Sequence, residues 1–418
     1  MRIPALALLL AASPSSLRSA TPEQAAHAIN TLGLDLHRQM PKQGNLCLSP
    51  FSIQSALAMT YLGASGVTQE EMARVLHFPN DKQAMGESFA ALKRALDEAR
   101  EASVKAVADA KKYGGPSEVT TLRVANQLFG QKGHAFRQPF RSDVEKHFAA
   151  PLKFMDFSSD PAGARMEIND WVAKQTRDRI RDLLPKNALT KDTRLVLTNA
   201  LYFKASWQNE FYQGYTQPKP FHVNGGKETV LTPTMTQRSH LHYYNGRGFQ
   251  AVTLPYAGGR LHFLLIVPDS INGIANIELK LTPELLLACA HAEEQYVLLD
   301  LPKFNIAPPS LQLGEMLQKL GMTTAFDIPA GSADFDAMSP RGPDDYLSIS
   351  KVFHKTFLAL DEKGTEAAAA TVAEMMLTGS GQPRKKPLAI KADRPFLFAI
   401  QHAESGACLF LGRVTDPR

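Results

Sequence analysis

A run of small side chains near the end of the chain constrains the fold more than any other feature. Residues 362–371 read Glu-Lys-Gly-Thr-Glu-Ala-Ala-Ala-Ala-Thr. Four successive alanines normally favour a helix, but no helix-length amphipathic pattern surrounds them, and Gly364 and two threonines flank them. The other interpretation is a strand whose side chains are all small. Such a strand can slide between two existing strands without clashing with the core.

Alternation along this segment favours the strand. Successive side chains of a strand point to opposite faces, so an inward Thr365 fixes which later side chains also point inward: Ala367, Ala369, Thr371, Ala373 and Met375. Glu366 and Glu374 then face solvent, whereas a register shifted by one residue would bury both carboxylates at high cost. No proline lies between Glu362 and Gln382, so every backbone N–H can join a ladder, and Gly364 can act as the turning point.

The rest of the chain separates helices from strands. Apolar spacing predicts helices at residues 22–40, 52–62 with Ser52 as cap, from 68, 84–112, 163–184, 281–291 and 310–320. Strands are predicted at residues 45–50, 120–129, 194–203, 220–223, 249–254, 260–267, 296–303, 347–361, 395–402 and 408–414. The helices concentrate in the first half, and the sequence has no internal repeat or linker-like stretch. This order predicts a single α+β unit rather than separate domains.

The first twenty residues have the pattern of an export signal. Arg2 is followed by the apolar run 5–12 and then by small residues, which predicts a signal peptide at residues 1–20 with cleavage after Ala20. The apolar run is too short to span a bilayer, and no later segment has eighteen uninterrupted apolar residues. We therefore expect a soluble, exported protein, secreted or periplasmic, with a single domain at residues 21–418.

Charge and cysteine content exclude several classes of protein. The net charge is +5 at pH 7, and the charges are scattered. The densest basic cluster, residues 384–386, is short and typical of a solvated loop rather than of a nucleic-acid site. Three cysteines do not make a disulfide framework. Cys47 and Cys408 lie in apolar, strand-like runs, so we expect both to be buried.

Motifs for catalysis are missing from the sequence. It contains no G-x-S-x-G elbow, P-loop, H-E-x-x-H or G-x-G-x-x-G pattern. His240 and His242 lie two residues apart on one strand face, a spacing that can bind a metal, but the sequence places no third ligand nearby. We therefore expect neither an enzyme nor a metal site, and no cofactor.

A set of ordered motifs runs from about residue 25 to the C-terminus. The main ones are NLCLSPFSI at 45–53, ALAMTYLGA at 56–64, ANQLF at 125–129, INDWV at 168–172, LTNALYFKASW at 197–207, LPY at 254–256, LPKF at 301–304, ADF at 333–335, residues 362–371 and RPFLF at 394–398. In this order they resemble the motifs of the serpin family. One departure is a longer helical region near 100–116, which we interpret as an exposed insertion or a site for a cofactor or partner.

The resemblance implies a serpin fold of the α+β class, with three β-sheets, about nine helices and an exposed reactive-centre loop at about residues 362–394. It also implies an irreversible, suicide-type inhibitor of serine proteases. The target attacks the loop and forms an acyl-enzyme, and the cut loop then inserts into the central sheet and distorts the protease. Two alternatives stay open: a non-inhibitory serpin with a binding or chaperone-like role, and a cross-class inhibitor of cysteine proteases.

The resemblance also assigns roles to particular residues. Counting along the loop from Glu362, the reactive bond falls at Thr378–Gly379, with Met376 and Leu377 as alternatives. The hinge comprises Glu362, Gly364, Thr365, Ala367, Ala368, Ala369, Ala370 and Thr371. Ser52, Asn199 and His354 form a polar shutter beneath the sheet, and Trp207 lies at the breach, where the loop first enters.

Small or apolar residues at the reactive bond predict an elastase-like, subtilisin-like or chymotrypsin-like target. Arg384 or Lys385 would suit a trypsin-like protease, but cleavage there lengthens the tether between protease and sheet, so we interpret it as substrate behaviour. We expect the chain to act as a monomer, with no nucleic-acid or membrane partner.

Overall fold

The computed structural model describes residues 20–113, 115–342, 345–365 and 386–418. These ranges contain nine α-helices and three β-sheets, which confirms the predicted α+β class. The predicted signal peptide lies outside the described residues apart from Ala20. Among the helices of the described ranges, none is long and apolar enough to cross a membrane.

The helices pack around the sheets. Their bounds are α1 Pro22–Gln39, α2 Pro50–Tyr61, α3 Gly66–Val75, α4 Lys82–Tyr113, α5 Gln138–Phe148, α6 Pro161–Gln175, α7 Ile274–Glu278, α8 Pro283–Ala290 and α9 Gly314–Lys319. Every residue of α2 is buried, so this helix forms the centre of the core.

Several helix ends differ from the prediction. Helix α2 begins at Pro50 and is capped by Ser49, whose hydroxyl accepts from the backbone N–H of Ser52 at 3.2 Å, so Ser52 is not the cap. Helix α3 begins at Gly66 rather than at residue 68. Helix α6 ends at Gln175, not near residue 184, because Arg177 and Asp178 adopt positive φ angles of 50° and 63°. The prediction also missed α5.

Nineteen strands lie in the described residues. Their bounds are β1 Leu46–Leu48, β2 Thr121–Val124, β3 Gln127–Gln131, β4 Lys153–Met155, β5 Leu195–Thr198, β6 Ala200–Ser206, β7 Gln217–Val223, β8 Glu228–Gly246, β9 Phe249–Pro255, β10 Leu261–Pro268, β11 Glu294–Pro302, β12 Phe304–Ile306, β13 Leu311–Gln312, β14 Phe353–Thr356, β15 Leu358–Asp361, β16 Gly364–Thr365, β17 Leu388–Lys391, β18 Phe396–His402 and β19 Cys408–Val414.

The strands form a nine-stranded, a seven-stranded and a three-stranded sheet. The first has the order β1-β19-β18-β10-β9-β8-β11-β17, with β7 beside β8. The second has the order β12-β15-β16-β6-β14-β13, with β2 beside β6, and the third has the order β4-β3-β5. The backbone N–H of Ala125 donates to the carbonyl of Ala200 in β6 at 2.8 Å. This hydrogen bond connects the second sheet to the third, because Ala125 lies between β2 and β3.

Three predicted strands are each split into two. The runs 120–129, 194–203 and 347–361 break at Asn126, at Asn199 and at Phe357. The side chain of Asn126 binds Ser52 and that of Asn199 binds His354, as described below. Strand β8, with nineteen residues, was missed over most of its length. Cys47 and Cys408 are buried free thiols, as predicted.

Candidate loop-insertion site

In the seven-stranded sheet, the boundary between β6 and the strands β14 and β15 differs between its two ends. We call this boundary the insertion seam. At its lower end β14 pairs directly with β6, and Lys355 lies opposite Ala200. At its upper end β16 lies between the two sides, and Thr365 faces both Ala205 of β6 and Leu360 of β15. The seam is therefore closed below and occupied by the hinge above.

Two hinge residues fill the upper end of the seam. Gly364 has a φ of 152°, and a Cβ atom there would lie 2.0 Å from the carbonyl oxygen of Ala205, so only glycine fits. Thr365 is fully buried, and its hydroxyl lies 2.7 Å from the hydroxyl of Tyr256. Burial raises the pKa of Tyr256 above its ordinary value, so the phenol stays neutral. The hinge thus enters the sheet with the Thr365 side chain inside.

Trp207 joins the core to the backbone of the hinge. Its ring stacks on Tyr256, with 4.7 Å between the ring centroids and an angle of 10° between the planes. Its indole N–H donates to the carbonyl of Asp361 at 3.0 Å, and its backbone N–H donates to the carbonyl of Lys363 at 2.8 Å. The residue expected at the breach therefore packs as a core side chain and also holds the segment that leads into the loop.

Glu362 is bound by both its side chain and its backbone. Its carboxylate accepts from the Thr216 hydroxyl and from Lys303 Nζ, each at 2.8 Å, and its carbonyl accepts from the backbone N–H of Phe211 at 2.8 Å. Burial alone would raise the pKa of this carboxyl, but the hydrogen bonds from Lys303 and Thr216 outweigh it and lower the pKa. The first residue of the hinge is thus fixed as an ion pair at neutral pH.

Buried polar groups close the lower end of the seam. Nδ1 of His354 lies 2.5 Å from Oδ1 of Asn199, and the backbone N–H of Ser49 donates to Nε2 of His354 at 3.1 Å. The ring proton is therefore on Nδ1 and is donated to Asn199. Burial lowers the pKa of His354 to about 3, so the ring is neutral. Nδ2 of Asn199 is buried and has no partner among the described residues.

Ser52, the third residue expected at the shutter, lies on α2, three residues after Ser49, whose backbone N–H binds His354. Its hydroxyl donates to Oδ1 of Asn126 at 2.8 Å, and Nδ2 of Asn126 donates back to the Ser52 carbonyl at 2.8 Å. Through Ser49, α2 holds β14, and through Ser52 it holds the junction between β2 and β3. The helix is therefore bound to strands on both sides of the seam.

Sequence reasoning did not assign roles to Ser49, Asn126 or Tyr256. Each lay inside a motif that was noted, but as a pattern rather than as a contact. The role of Asn126 could have been found from the sequence, because it is a polar residue inside an apolar strand-like run. The role of Tyr256 could not, since its hydrogen-bond partner Thr365 is 109 positions away.

Other predicted residues lie outside the described residues. These are the hinge residues Ala367, Ala368, Ala369, Ala370 and Thr371, and the reactive-bond candidates Met376, Leu377, Thr378 and Gly379.

His240 and His242 do not form part of a metal centre in the ranges that the structure describes. No group of three or more histidine, cysteine, aspartate or glutamate side chains there is placed to hold a metal ion. Nδ1 of His242 instead donates to the carbonyl of Ala292 at 2.6 Å, and the ring of His240 packs 5.3 Å from that of Tyr296.

Comparison with known proteins assigns the family. The family model described as Serpin (serine protease inhibitor) matches residues 27–417. The chain belongs to the serpin family. An uncharacterized serpin-like protein of Thermococcus kodakarensis is 36% identical over 408 residues, covering 96% of this chain and 88% of that protein. A leukocyte elastase inhibitor of Equus caballus is 36% identical over 407 residues, covering 94% of this chain and 100% of that protein.

Solved structures confirm the predicted fold. Uncleaved ovalbumin matches with a TM-score of 0.77 and 24% identity, covering 95% of this chain and 100% of that chain. Cleaved Serpin 42Da matches with a TM-score of 0.76 and 28% identity, covering 95% of this chain and 99% of that chain. The family is one of protease inhibitors rather than catalysts, and this agrees with the expectation that the chain is not an enzyme.

Proposed function

We propose that this serpin is an irreversible suicide inhibitor of serine proteases that inserts its cleaved loop into the insertion seam. One observation carries the proposal: Gly364 and Thr365 already pair as a strand between β15 and β6, while the lower seam is still closed. An inserting strand therefore has a start and a direction.

One register of the inserting strand fits the pairing at both the upper and the lower end of the seam. Extending the pairing of Thr365 downward brings loop residue 370 between Ala200 of β6 and Lys355 of β14, and these two residues are paired with each other in the closed sheet. The strand can therefore enter without any slip between β6 and β14. This matters because a slip of one residue would turn every side chain to the opposite face.

The same register carries Thr371 to the shutter. One residue beyond 370, its neighbours are Asn199 and His354, whose hydrogen bond must break when the two strands separate. A threonine hydroxyl can accept the Nδ1 proton of His354 and donate to Oδ1 of Asn199. It can also accept from Nδ2 of Asn199, which is unpaired in the closed sheet. Insertion to this depth replaces the lost contact and offsets the cost of opening.

The target is proposed to be a protease with a small or apolar specificity pocket, since the bond is expected at Thr378–Gly379, Leu377 or Met376. The relative named leukocyte elastase inhibitor supports testing an elastase first. Incubation with elastase, subtilisin and chymotrypsin should give an SDS-stable complex with at least one of them. Mass spectrometry of the released C-terminal peptide then identifies the bond. Cleavage by all three without any stable complex would contradict inhibition.

Two matched variants test whether insertion causes the trapping. Ala367→Arg places a guanidinium on the predicted inward face, and Ala368→Arg places the same group on the outward face one residue later. We expect the first to be cleaved as a substrate without complex formation and the second to keep most of its trapping. Equal behaviour of the two variants would exclude the proposed register.

We also propose that the chain is exported, on the support of residues 1–20. N-terminal sequencing of protein recovered outside the producing cytoplasm should begin at Thr21. A mature protein that still begins at Met1 would contradict a cleaved signal.

A further inference from the structure

Two lysines lie on one face of the seven-stranded sheet, on opposite sides of the insertion seam. Lys204 belongs to β6, and Lys351 lies two residues before β14. Ala200 of β6 and Phe353 of β14 pack in the same cluster as Ile168 of α6, so these two residues point toward that helix. Because side chains alternate along a strand, Lys204 and Lys351 point to the same face, which we call the outward face.

The two lysines differ in their present partners. Nζ of Lys204 lies 3.0 Å from a carboxylate oxygen of Glu118, and the Lys204 side chain is only 14% exposed. Lys351 is exposed and makes no ion pair or hydrogen bond within the ranges that the structure describes. An ammonium group has three N–H donors, so Lys204 can bind a second carboxylate beside Glu118, and Lys351 can bind a first.

The register proposed above for the inserted loop brings its first glutamate to Lys204. Thr365 pairs with Ala205 of the antiparallel strand β6, so the next loop residue, Glu366, comes to lie opposite Lys204. Directly opposed side chains of a sheet share one face, with their Cβ atoms about 4.5–5.5 Å apart. Since Lys204 is largely buried, a carboxylate beside it loses water and needs this cation as its partner.

The same register brings the second glutamate of the loop to Lys351. Thr365 also pairs with Leu360 of the antiparallel strand β15, so each step forward along the loop is one step back along β15 and β14. Nine steps lead from Thr365 to Glu374 and from Leu360 to Lys351. The alternation of faces holds as far as Lys351, because its neighbour Val352 packs in the core on the opposite face.

We propose that Lys204 and Lys351 are positioning residues that bind Glu366 and Glu374 on the outward face of the inserted strand. The two pairs correspond to different depths of insertion, because Lys204 lies beside the hinge and Lys351 lies beyond His354 of the shutter. A strand that stops at the shutter forms only the first pair. A register shifted by one residue forms neither, since it turns both carboxylates to the core. The proposal rests on the proposed function, because the pairs form only when the loop inserts.

Double-mutant cycles on the intact and the cut protein test the deeper pair. The variants are Lys351→Glu, Glu374→Lys and the double variant with both changes. In the cut protein each single variant should raise the unfolding equilibrium constant about fivefold, since opposite charges become like charges, and the double variant should recover most of this loss. In the intact protein the two changes should be additive, because β14 still pairs with β6 there.

Thermal unfolding at low ionic strength measures these effects, and high salt should shrink them. All variants are cut with the same protease, and mass spectrometry checks that the cut lies at the same bond. The matched control is Lys280→Glu, since Lys280 is also exposed but lies between α7 and α8, outside the seven-stranded sheet. It should show no coupling with Glu374→Lys in either form of the protein.

The upper pair is tested with Lys204→Gln and Glu366→Gln. Glu366→Gln should destabilise the cut protein and leave the intact protein unchanged. Lys204→Gln should destabilise both, since it also removes the present partner of Glu118, but its effect should couple to that of Glu366→Gln in the cut protein alone.

Additive effects in the cut protein, or coupling of the same size in both forms, would overturn the positioning role. Coupling at Lys204 without coupling at Lys351 would overturn the deeper pair. If cutting the wild-type loop gives no gain in thermal stability, the proposed function itself fails. If the gain is present while the cycles show no coupling, only the role of the two lysines fails.

Discussion

The upper and lower ends of the insertion seam are held by different kinds of contact. At the upper end, packing and main-chain hydrogen bonds hold a strand that has already entered, with Trp207 donating to the carbonyls of Asp361 and Lys363. At the lower end β14 pairs with β6, and the buried side-chain contacts across the seam are those of a neutral His354 with Asn199 and with the Ser49 N–H, while one amide nitrogen is left unpaired. The upper contacts favour entry, and the lower contacts resist it until a new partner arrives.

If the loop inserts as proposed, this difference explains how the closed sheet can be stable and still open. Contacts at the lower end are exchangeable, because an inserting hydroxyl offers the same donors and acceptors that the closed sheet uses. Contacts at the upper end do not need to be exchanged, since the hinge is already paired there. We therefore expect the two ends to respond differently to mutation and to pH.

The largest effect is expected at the lower end. His354→Ala leaves the Ser49 N–H and Oδ1 of Asn199 unpaired in the interior and creates a cavity, which should lower the free energy of unfolding by about 2–4 kcal/mol. The variant should also form polymers or a loop-inserted monomer at lower temperature than the wild type. Urea unfolding and native gels measure both. A loss below about 0.5 kcal/mol would show that the shutter contacts do not hold the seam.

Acid should loosen the lower end before the upper end. The pKa of His354 is lowered from 6.5 to about 3, so the closed state gains no proton there while the unfolded state does. Its contribution to stability is therefore complete above pH 6.5 and falls toward pH 3 by at most about 1.4 kcal/mol per pH unit. The lowered pKa of Glu362 has the same sign, but its contribution falls only below its ordinary value of 4.5.

Urea unfolding at a series of pH values between 4.5 and 7 isolates the histidine. His354→Gln removes this titration and should flatten the profile relative to the wild type. Burial also lowers the pKa of His262, to about 4, but that residue titrates in both proteins and cancels in the difference. Parallel profiles in the two proteins would contradict the assigned role of His354.

A smaller effect is expected where the hinge side chain enters. Tyr256→Phe and Thr365→Val each remove one side of a buried hydrogen bond and should each cost about 1 kcal/mol in the free energy of unfolding. The double variant should cost less than the sum, since removal of both partners leaves neither unsatisfied. Strict additivity in this cycle would show that the two hydroxyls do not interact.

At the upper end the entry of the hinge could be predicted, because the hinge residues are close in sequence and follow a simple pattern. The alternation of glutamates and small residues predicted an inward Thr365, and the glycine before it suggested a turning point. The resemblance to the serpin family assigned Trp207 to the breach and Asn199 and His354 to the shutter. What the sequence could not supply was the partners of these residues, since Ser49 and His354 are separated by 305 positions.

Several predicted strand and helix boundaries were wrong because single residues depart from the regular backbone pattern. Apolar residues continue through Asn126 and Asn199 on both sides, so the pattern predicted unbroken strands where the structure has pairs of shorter ones. The asparagines leave the ladder to bind Ser52 and His354, and such tertiary contacts are invisible to periodicity. The early end of α6 depends likewise on the positive φ angles of Arg177 and Asp178, which their residue types do not indicate.

A crystal structure of the protein with its loop cut would show directly whether the cut loop enters the insertion seam. We expect a new strand that continues from Gly364 and Thr365 between β6 and β14, with the hydroxyl of Thr371 within hydrogen-bond distance of Asn199 and His354. Lys355 and Ala200 would then lie on either side of residue 370. A cut protein in which β14 still pairs directly with β6, and His354 still binds Asn199, would contradict it.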